Sequence, residues 1–354
     1  MTEKEKMLNN YLLRIASNLD ISETMREKAE TSYRAVGRWL GDCDDDSEVK
    51  IMPQGSFYLG TVIRPVSDAD EYDIDLVCLL KNAKYKSEAE IKNIVGNRLK
   101  EHKTYDKMLQ KEGKRCWTLC YDEFHMDILP CVPNDSFYSE PYFTEIKLTH
   151  KLDNGSYIAK YSNPYKYHEW FEKRMEAQTI EIRKAFAAKN NVEIDKVPSY
   201  KIKTPLQQAV QLLKRHRDIM YDKLPEARKK NAPISIIITT LAALAYNNES
   251  NLYDALNSIV SKMENYIEKD GDTYKILNPV MQEENFADKW NILTGNLETC
   301  FGKNIVQRSI KDEGKAIKTA RENKSLYVSG LKGGLQTSST NTAKKVGGHT
   351  FFGK

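Results

Sequence analysis

One strand that carries two acids constrains this chain more than any other feature of its sequence. The run Tyr72–Leu80 is strongly apolar, yet it contains Asp73 and Asp75. Side chains two apart on a strand point to the same face, about 7 Å apart along the chain. Carboxylates placed in this way repel each other, and hard oxygen ligands of this kind suit Mg²⁺ or Mn²⁺. The strand therefore predicts a divalent-metal site, and an edge strand with one wet face is the alternative for these two acids alone.

Two further features support the metal site. Gly55-Ser56 lies between a predicted strand and a predicted helix, where glycine permits close approach to phosphate and the amides of a helix start bind anionic oxygens. A third acid, Asp127, lies in the apolar run Phe124–Leu129, on the same face as His125. Placed beside the first strand, it would complete a triad able to bind a second metal ion and to activate an attacking hydroxyl.

Strand patterns alternate with helical ones in the first half of the chain, and helical patterns dominate the second. The first forty residues predict one long helix, bent near Asp20, and Ser22 with Glu27 indicates a second helix start near Ile21. Strands are predicted at Val49–Met52, Tyr72–Leu80, Arg115–Tyr121 and Phe124–Leu129, with a short helix at Phe57–Ile63. Further helices are predicted at Ser87–Glu101, Tyr167–Lys189, Pro205–Tyr221, Ile234–Asn247, Leu252–Lys269, Asn285–Leu297 and Ser309–Asn323. This order predicts an α+β fold with a mixed sheet, a long N-terminal helix and a helical C-terminal lobe.

The length of 354 residues allows two packed parts and a tail. We predict a core with its N-terminal helix over residues 1–200, a helical lobe over 201–328 and a tail over 329–354. The tail is rich in Gly, Ser, Thr and Asn and has no periodic apolar face. Such a segment cannot bury enough surface to offset its ordering entropy, so we expect it to be flexible.

Composition excludes several classes of protein. The formal net charge of +4 is too small for a dedicated nucleic-acid binder. The start of the sequence lacks the apolar segment of a signal peptide, and no apolar run is long enough to cross a bilayer, so no membrane partner is expected. The six cysteines are scattered without a CxxC pair, which indicates free thiols, no zinc site and a cytoplasmic location.

Two motifs taken together resemble a known superfamily. Gly55-Ser56, then the strand with Asp73 and Asp75, then the strand that bears Asp127, are similar to the signature of the polymerase-β-type nucleotidyltransferases. Within that superfamily, the runs QGSFYLGTVIRP, at 54–65, and EYDIDLV, at 71–77, resemble the bacterial cGAS/DncV-like nucleotidyltransferases of CBASS anti-phage defence. The resemblance extends from the first residue to about residue 327.

The resemblance implies roles for particular residues. Asp73, Asp75 and Asp127 would be catalytic and hold two Mg²⁺ ions, with Mn²⁺ as a substitute. The residues implied in binding the triphosphate of the donor nucleotide are Gln54, Gly55, Ser56, Lys214 and Ser235. The alternative for the lysine is an ordinary surface position, and for the second serine a helix cap.

The resemblance also implies a product and partners. ATP and GTP would be joined, with release of pyrophosphate, into a purine-containing cyclic di- or trinucleotide such as cyclic GMP-AMP. The animal cyclic GMP-AMP synthases dock DNA through a zinc-binding His/Cys cluster that this chain lacks, so no direct DNA activation is expected. Some CBASS synthases end in an aromatic-glycine pattern to which a ubiquitin-like conjugating enzyme attaches targets, which makes Gly353 a candidate conjugation site, although Lys354 follows it.

Three other functions stay open at this stage. A linear, template-independent polymerase of the oligoadenylate or poly(A) type would share the same metal triad, although no basic stretch for a long acceptor is evident. A degenerate nucleotide-binding scaffold would keep the fold without the chemistry. An interaction protein would act through its conjugated tail alone.

Overall fold

The computed structural model describes residues 1–42, 48–65, 71–134, 145–197, 199–222, 224–229, 232–271 and 273–288. All of them belong to one unit, Met1–Cys300. The predicted helix Ser309–Asn323, the tail at 329–354 and Gly353 lie outside the described residues. The predicted boundary between core and helical lobe at residue 200 stays a prediction.

The strands of the first half of the chain form one mixed sheet. Its members are β1 (Val49–Gln54), β2 (Tyr72–Leu80), β3 (Trp117–Cys120), β4 (Phe124–Pro133), β5 (Ile146–Lys151) and β6 (Tyr157–Ser162). The order is β1-β2-β4-β5-β6, with β3 paired to β4. Strands β2 and β4 run parallel, and the other pairs are antiparallel. The predicted α+β class with a mixed sheet is therefore confirmed.

Apolar side chains cover both faces of the sheet, but not to the same extent. Ile74, Leu76 and Cys78 of β2 point into the larger core, on the face covered by the helices that follow β2. The alternate residues Val77 and Leu79 point to the opposite face, into a smaller cluster. Since Asp73 and Asp75 are in phase with this second set, both acids lie on the less covered face.

The helices surround this sheet and continue the chain beyond it. They are α1 (Glu3–Leu19), α2 (Glu23–Gly41), α3 (Gly55–Tyr58), α4 (Glu88–Glu101), α5 (Lys103–Met108), α6 (Pro164–Asn190), α7 (Pro205–Asp222), α8 (Glu226–Lys229), α9 (Ser235–Ala245) and α10 (Leu252–Lys262). Ser87 caps α4 as predicted, and its hydroxyl and the Glu90 carboxylate form a reciprocal capping box. Short strands follow: β7 (Glu268–Asp270), β8 (Thr273–Lys275), β9 (Leu277–Asn278) and β10 (Met281–Asn285).

The predicted long N-terminal helix is two helices. Asp20 has an extended backbone after α1, and Ser22 caps α2 by accepting a hydrogen bond from the Met25 amide. The loop that follows α3 binds at this break, because the Arg64 amide donates to the Leu19 carbonyl at 2.7 Å. The break is therefore a docking point and not a bend within one helix.

Several predicted boundaries were wrong. Strand β1 continues through Pro53 because β1 is an edge strand and needs no amide donor there. The predicted helix Phe57–Ile63 is shorter and earlier, at Gly55–Tyr58. The predicted helix Leu252–Lys269 ends at Lys262 and gives way to a 3₁₀ turn and β7. The predicted helix Asn285–Leu297 does not begin at Asn285, which lies in β10 and whose side chain accepts hydrogen bonds from the Ile276 and Ala287 amides. Residues 289–297 of this prediction lie outside the described residues.

Strands β5 and β6 were not predicted. The two strands form an antiparallel hairpin in which Lys151 is paired with Tyr157, and β6 exposes Ile158 and Tyr161. Among the described residues, no helix is both long and apolar enough to span a membrane.

Candidate active site

The three acids predicted from the sequence meet on one face of the sheet. Asp75 of β2 is paired directly with Asp127 of β4 in the parallel register, and Asp73 is paired with His125. Paired residues on neighbouring strands point to the same face, so all three carboxylates face the same side. Asp73 is the most exposed, with 71% of its side chain accessible. The three carboxylates therefore converge on one face of the sheet, as predicted.

The crowding of these acids changes their protonation. Desolvation, with the charges of Asp127 and Asp73, raises the pKa of Asp75 to about 7. Desolvation and the charge of Asp127 also raise the pKa of Asp73. Carboxylates whose charged forms are disfavoured in this way gain most from a nearby cation. Their electrostatics therefore favour a positively charged ligand at this face.

The Gly55-Ser56 turn lies directly over the acids. Gly55 has a φ of +63°, and a Cβ at this position would lie 2.0 Å from Asp75 Oδ2. Only glycine combines this backbone conformation with so close an approach. Gln54 is paired with Asp75 in the β1–β2 register, and Ser56 lies in the first turn of α3. The structure thus brings Gln54, Gly55 and Ser56 to the triad.

Three neighbours of the triad, Thr118, Glu71 and His125, were not predicted as site residues. The Thr118 hydroxyl, on β3, donates to Asp127 Oδ1 at 2.5 Å. Glu71 Oε2 lies 2.6 Å from His125 Nε2, and His125 Nδ1 lies 3.9 Å from Asp73 Oδ1. The Glu71–His125 contact is close but not aligned as a hydrogen bond. Sequence alternation could have placed Thr118 on this face, but only the register shows that it faces Asp127.

Helix α7 holds the loop that follows α3. Side chains along one face of the helix donate to successive carbonyls of this loop: Gln207 to Leu59, Lys214 to Thr61 and Gln211 to Val62. Lys203, just before the helix, donates to the Gly60 carbonyl at 2.7 Å and pairs with Asp20. The loop is thereby fixed between α7 and the α1–α2 break. The Gly55-Ser56 turn consequently has a rigid support.

Lys214 is not a surface lysine. Only 4% of the residue is exposed, and its ammonium donates to the Thr61 carbonyl at 2.9 Å. Burial, together with the charge of Arg217, lowers its pKa to about 8, while Asp75 and Asp73 act in the opposite direction. Lys214 therefore lies within electrostatic range of the triad. Its predicted contact with donor phosphates stays a prediction.

Ser235 is the first residue of α9, and Ile234 occupies the cap position without a side-chain hydrogen bond. The alternative role of Ser235 as helix cap is therefore wrong. Its hydroxyl accepts a hydrogen bond from Arg217 at 3.2 Å, and the same guanidinium group donates to the Pro233 carbonyl at 2.8 Å. The structure thus links Ser235 to α7 through Arg217. A phosphate contact by Ser235 stays a prediction.

The residue types around the triad fit hard divalent cations. Three carboxylates share one face, and desolvation together with the neighbouring acids raises the pKa of Asp73 and of Asp75 in spite of the Lys214 charge. As the side chains are oriented, however, no group of three or more His, Cys, Asp or Glu residues in the described ranges is arranged to hold a metal ion. The residue types at this face are those that Mg²⁺ prefers, and the binding of Mg²⁺ here stays a prediction.

Comparison with known proteins identifies the family. The family model for the Second Messenger Oligonucleotide or Dinucleotide Synthetase domain matches residues 7–174, which include β1 to β6 and the three acids. A c-di-GMP synthase of Roseivirga ehrenbergii is 34% identical over 299 residues, which cover 80% of this chain and 73% of that protein. The chain belongs to this synthetase family. The cyclic dinucleotide synthase CdnG of Bradyrhizobium diazoefficiens is a more distant relative, 24% identical over 80% of this chain and 70% of its own.

Solved structures show the same fold for this synthetase. The CD-NTase CdnG from Bradyrhizobium diazoefficiens, solved with GTP, superposes with a TM-score of 0.60 at 21% identity, over 87% of this chain and 99% of that one. CdnC of Escherichia coli MS115-1, solved with ATP, gives 0.56 at 17% identity, over 88% and 92% of the two chains. The predicted membership among the bacterial cGAS/DncV-like nucleotidyltransferases is confirmed. Lys214 and Ser235 lie outside the span of the family model.

Proposed function

We propose that this synthetase is a Mg²⁺-dependent enzyme that joins two purine nucleoside triphosphates into a cyclic dinucleotide and releases pyrophosphate. The observation that carries the proposal is the direct pairing of Asp75 with Asp127, with Asp73 on the same face, beneath a glycine turn. Mn²⁺ is the expected substitute for Mg²⁺, since both prefer oxygen ligands in this setting.

Guanine is the base that the relatives favour. The 34% identical relative is named a c-di-GMP synthase, and the CdnG structure was solved with GTP. We therefore place cyclic di-GMP first among the products and the mixed cyclic GMP-AMP second. The same relationship supports a role in CBASS anti-phage signalling, in which the product would act as the second messenger.

The residues of the site have separate roles in the reaction. Asp73, Asp75 and Asp127 would hold the metal ions, which when bound lower the pKa of the attacking ribose hydroxyl and neutralise charge on the phosphates. Asp127 would lie nearest the attacking hydroxyl, as the family pattern implies. The backbone amides at Gly55 and Ser56 would bind oxygens of the donor triphosphate, because glycine leaves room for them.

Lys214 supplies a fixed positive charge behind this turn. Negative charge builds on the leaving pyrophosphate, and a buried cation near it stabilises that charge more than an exposed one would. Ring closure requires the same transfer twice, so the linear intermediate must turn over in the site between the two steps.

The test is product identification. The purified protein is incubated with each NTP alone and with each pair, in Mg²⁺, and the products are separated and analysed by mass spectrometry. A product with the mass of a cyclic dinucleotide, formed from GTP alone, supports the proposal, and EDTA should abolish it. A ladder of linear oligonucleotides would instead identify a template-independent polymerase. Lack of any product with every NTP combination would overturn the enzymatic assignment.

A further inference from the structure

A buried lysine lies on the side of the sheet opposite the triad. Lys92 of α4 has no exposed surface, and its ammonium donates to the Gly113 carbonyl at 2.9 Å and to the Cys116 carbonyl at 3.0 Å. Within the described residues, no carboxylate pairs with it at ion-pair distance. A buried ammonium is costly compared with an apolar side chain. The position therefore calls for a role beyond packing.

Lys92 and its helix fix the start of β3. The Gly113–Cys116 turn that the ammonium holds leads directly into Trp117, the first residue of this strand. The Trp117 indole donates to the Lys92 carbonyl at 2.9 Å. Its ring also packs so closely on Gly96 of α4 that a Cβ there would lie 2.2 Å from Trp117 Cζ2. Strand β3 has four residues and pairs with β4, and the segment after α5 also contacts it, because the Gln110 amide donates to the Thr118 carbonyl at 2.9 Å. Helix α4 fixes the first residue of β3 and the turn before it.

Strand β3 in turn fixes a catalytic carboxylate. Thr118 is paired with Asp127 in the antiparallel register, and its hydroxyl donates to Asp127 Oδ1 at 2.5 Å. Cys116 lies on the same face, with its Sγ 3.8 Å from Thr118 Oγ1. Burial and the charge of Asp127 raise the pKa of the Cys116 thiol to about 11, so this neighbour stays uncharged. The Cys116 thiol also interacts with the Asp127 carboxylate, and the Thr118 hydroxyl makes the short hydrogen bond that orients Asp127 Oδ1.

We infer that Lys92 is a positioning residue for Asp127, acting through the Gly113–Cys116 turn and Thr118. Asp127 Oδ1 accepts the hydrogen bond of Thr118, which sets the direction in which this carboxylate faces. Partners that orient a metal ligand in this way contribute strongly to metal affinity. The inference rests on the proposed metal-dependent function, but it can be tested without turnover.

The test measures Mn²⁺ binding in the presence of a non-hydrolysable GTP analogue, by the EPR signal of free Mn²⁺. Lys92→Met should raise the Mn²⁺ dissociation constant about tenfold, as expected for loss of an orienting partner. Lys147→Met is the matched control, because Lys147 also joins the sheet to α4, through Glu88 at 3.3 Å. It should change Mn²⁺ binding by less than about twofold, since partly exposed ion pairs contribute little.

A double-mutant cycle separates positioning from a general effect on the fold. If Lys92 acts through Thr118, then Lys92→Met should change Mn²⁺ binding by less than about twofold in a Thr118→Val background, because coupled residues are not additive. Two results would overturn the inference. One is an equal effect of Lys92→Met on Mn²⁺ binding in the two backgrounds. The other is a Mn²⁺ dissociation constant that Lys92→Met leaves unchanged while Asp127→Asn raises it. If Lys92→Met does not fold, Lys92→Gln is used in its place, because glutamine keeps an amide donor, and it is judged by the same two results.

The two proposals can fail separately. If the wild-type protein binds Mn²⁺ and the analogue but makes no product from any NTP, the proposed function fails and the Mn²⁺ measurement still decides the role of Lys92. If product forms and Lys92→Met binds Mn²⁺ as the wild type does, only the positioning inference fails.

Discussion

Asp75 and Asp127 lie side by side on parallel strands, and the charge of Asp127 is one of the causes that raise the pKa of Asp75 to about 7. This relationship joins the fold to the proposed chemistry. A parallel pair requires a crossover, and the chain between β2 and β4 supplies it with α4, α5 and β3. The same crossover brings Thr118 to Asp127 and Lys92 beneath β3.

The raised pKa of Asp75 predicts a pH-dependent cost to stability. The ordinary carboxyl value is 3.8, so below that pH the group is protonated in both the folded and the unfolded chain. Between pH 3.8 and about 7, the folded protein retains a proton that the unfolded chain releases, and this stabilising contribution is lost as the pH rises. Above pH 7 the folded protein carries the full cost of the buried charge.

Asp75→Asn should therefore stabilise the protein relative to wild type by more at pH 8 than at pH 5.5. The measurement is urea unfolding in EDTA at both pH values, with the difference in unfolding free energy compared between them. An equal difference at the two pH values would show that Asp75 does not retain its proton in the folded protein.

Gly55→Ala should damage the site in two ways. Its φ of +63° is strained for alanine, at a cost of about 1–3 kcal/mol, and its new Cβ would collide with the Asp75 carboxylate. Gly271→Ala is the matched control, since Gly271 has a φ of +58° and open space where a Cβ would lie. Both variants should lose stability by thermal unfolding, Gly55→Ala the more because of the added collision, and only Gly55→Ala should also lose nucleotidyl transfer. Retained activity in Gly55→Ala would contradict the close approach of Gly55 to Asp75.

Lys214 and Gln211 provide a matched pair on α7. Both are buried, and they donate to the neighbouring loop carbonyls of Thr61 and Val62. Lys214→Met and Gln211→Leu should each cost about 1–3 kcal/mol, because each leaves a buried carbonyl without its donor.

If Lys214 also contacts the triphosphate, then Lys214→Met should raise the KM for GTP more than Gln211→Leu does. Steady-state kinetics of both variants decide this point. An equal rise in KM would mean that Lys214 supports the loop and has no separate contact with the nucleotide.

Patterns within short stretches of the sequence predicted β2, the start of α4 and the face of β2 on which the two acids lie. Alternation within Tyr72–Leu80 placed both acids on one face, and the bounds of β2 match the prediction. Ser87 predicted the start of α4, because a capping serine accepts a hydrogen bond from a backbone amide of its own helix. The triad followed from these rules and from the resemblance that joined Asp127 to them.

Contacts between segments that lie far apart in the sequence could not be predicted from such short patterns. Nothing in the local sequence shows that Lys214 is buried under Thr61, or that Thr118 donates to Asp127. The hairpin of β5 and β6, by contrast, was missed although it carries a local signal, the turn Asp153-Asn154-Gly155 with Gly155 at a φ of +85°. The break at Asp20 has a local signal in the capping Ser22, but the docking of the loop of residues 59–65 at this break joins distant segments.

The most direct test of the account compares the three acids with an acid outside the site. Asp73→Asn, Asp75→Asn and Asp127→Asn are assayed with radiolabelled GTP and Mg²⁺, beside the exposed Asp106→Asn on α5 as control. Each of the three should lower the rate of nucleotide joining by more than about 100-fold, since even partners that only orient a metal ligand contribute up to about that much. Asp106→Asn should match wild type. Wild-type rates in any one of the three variants would contradict a catalytic centre built from this triad.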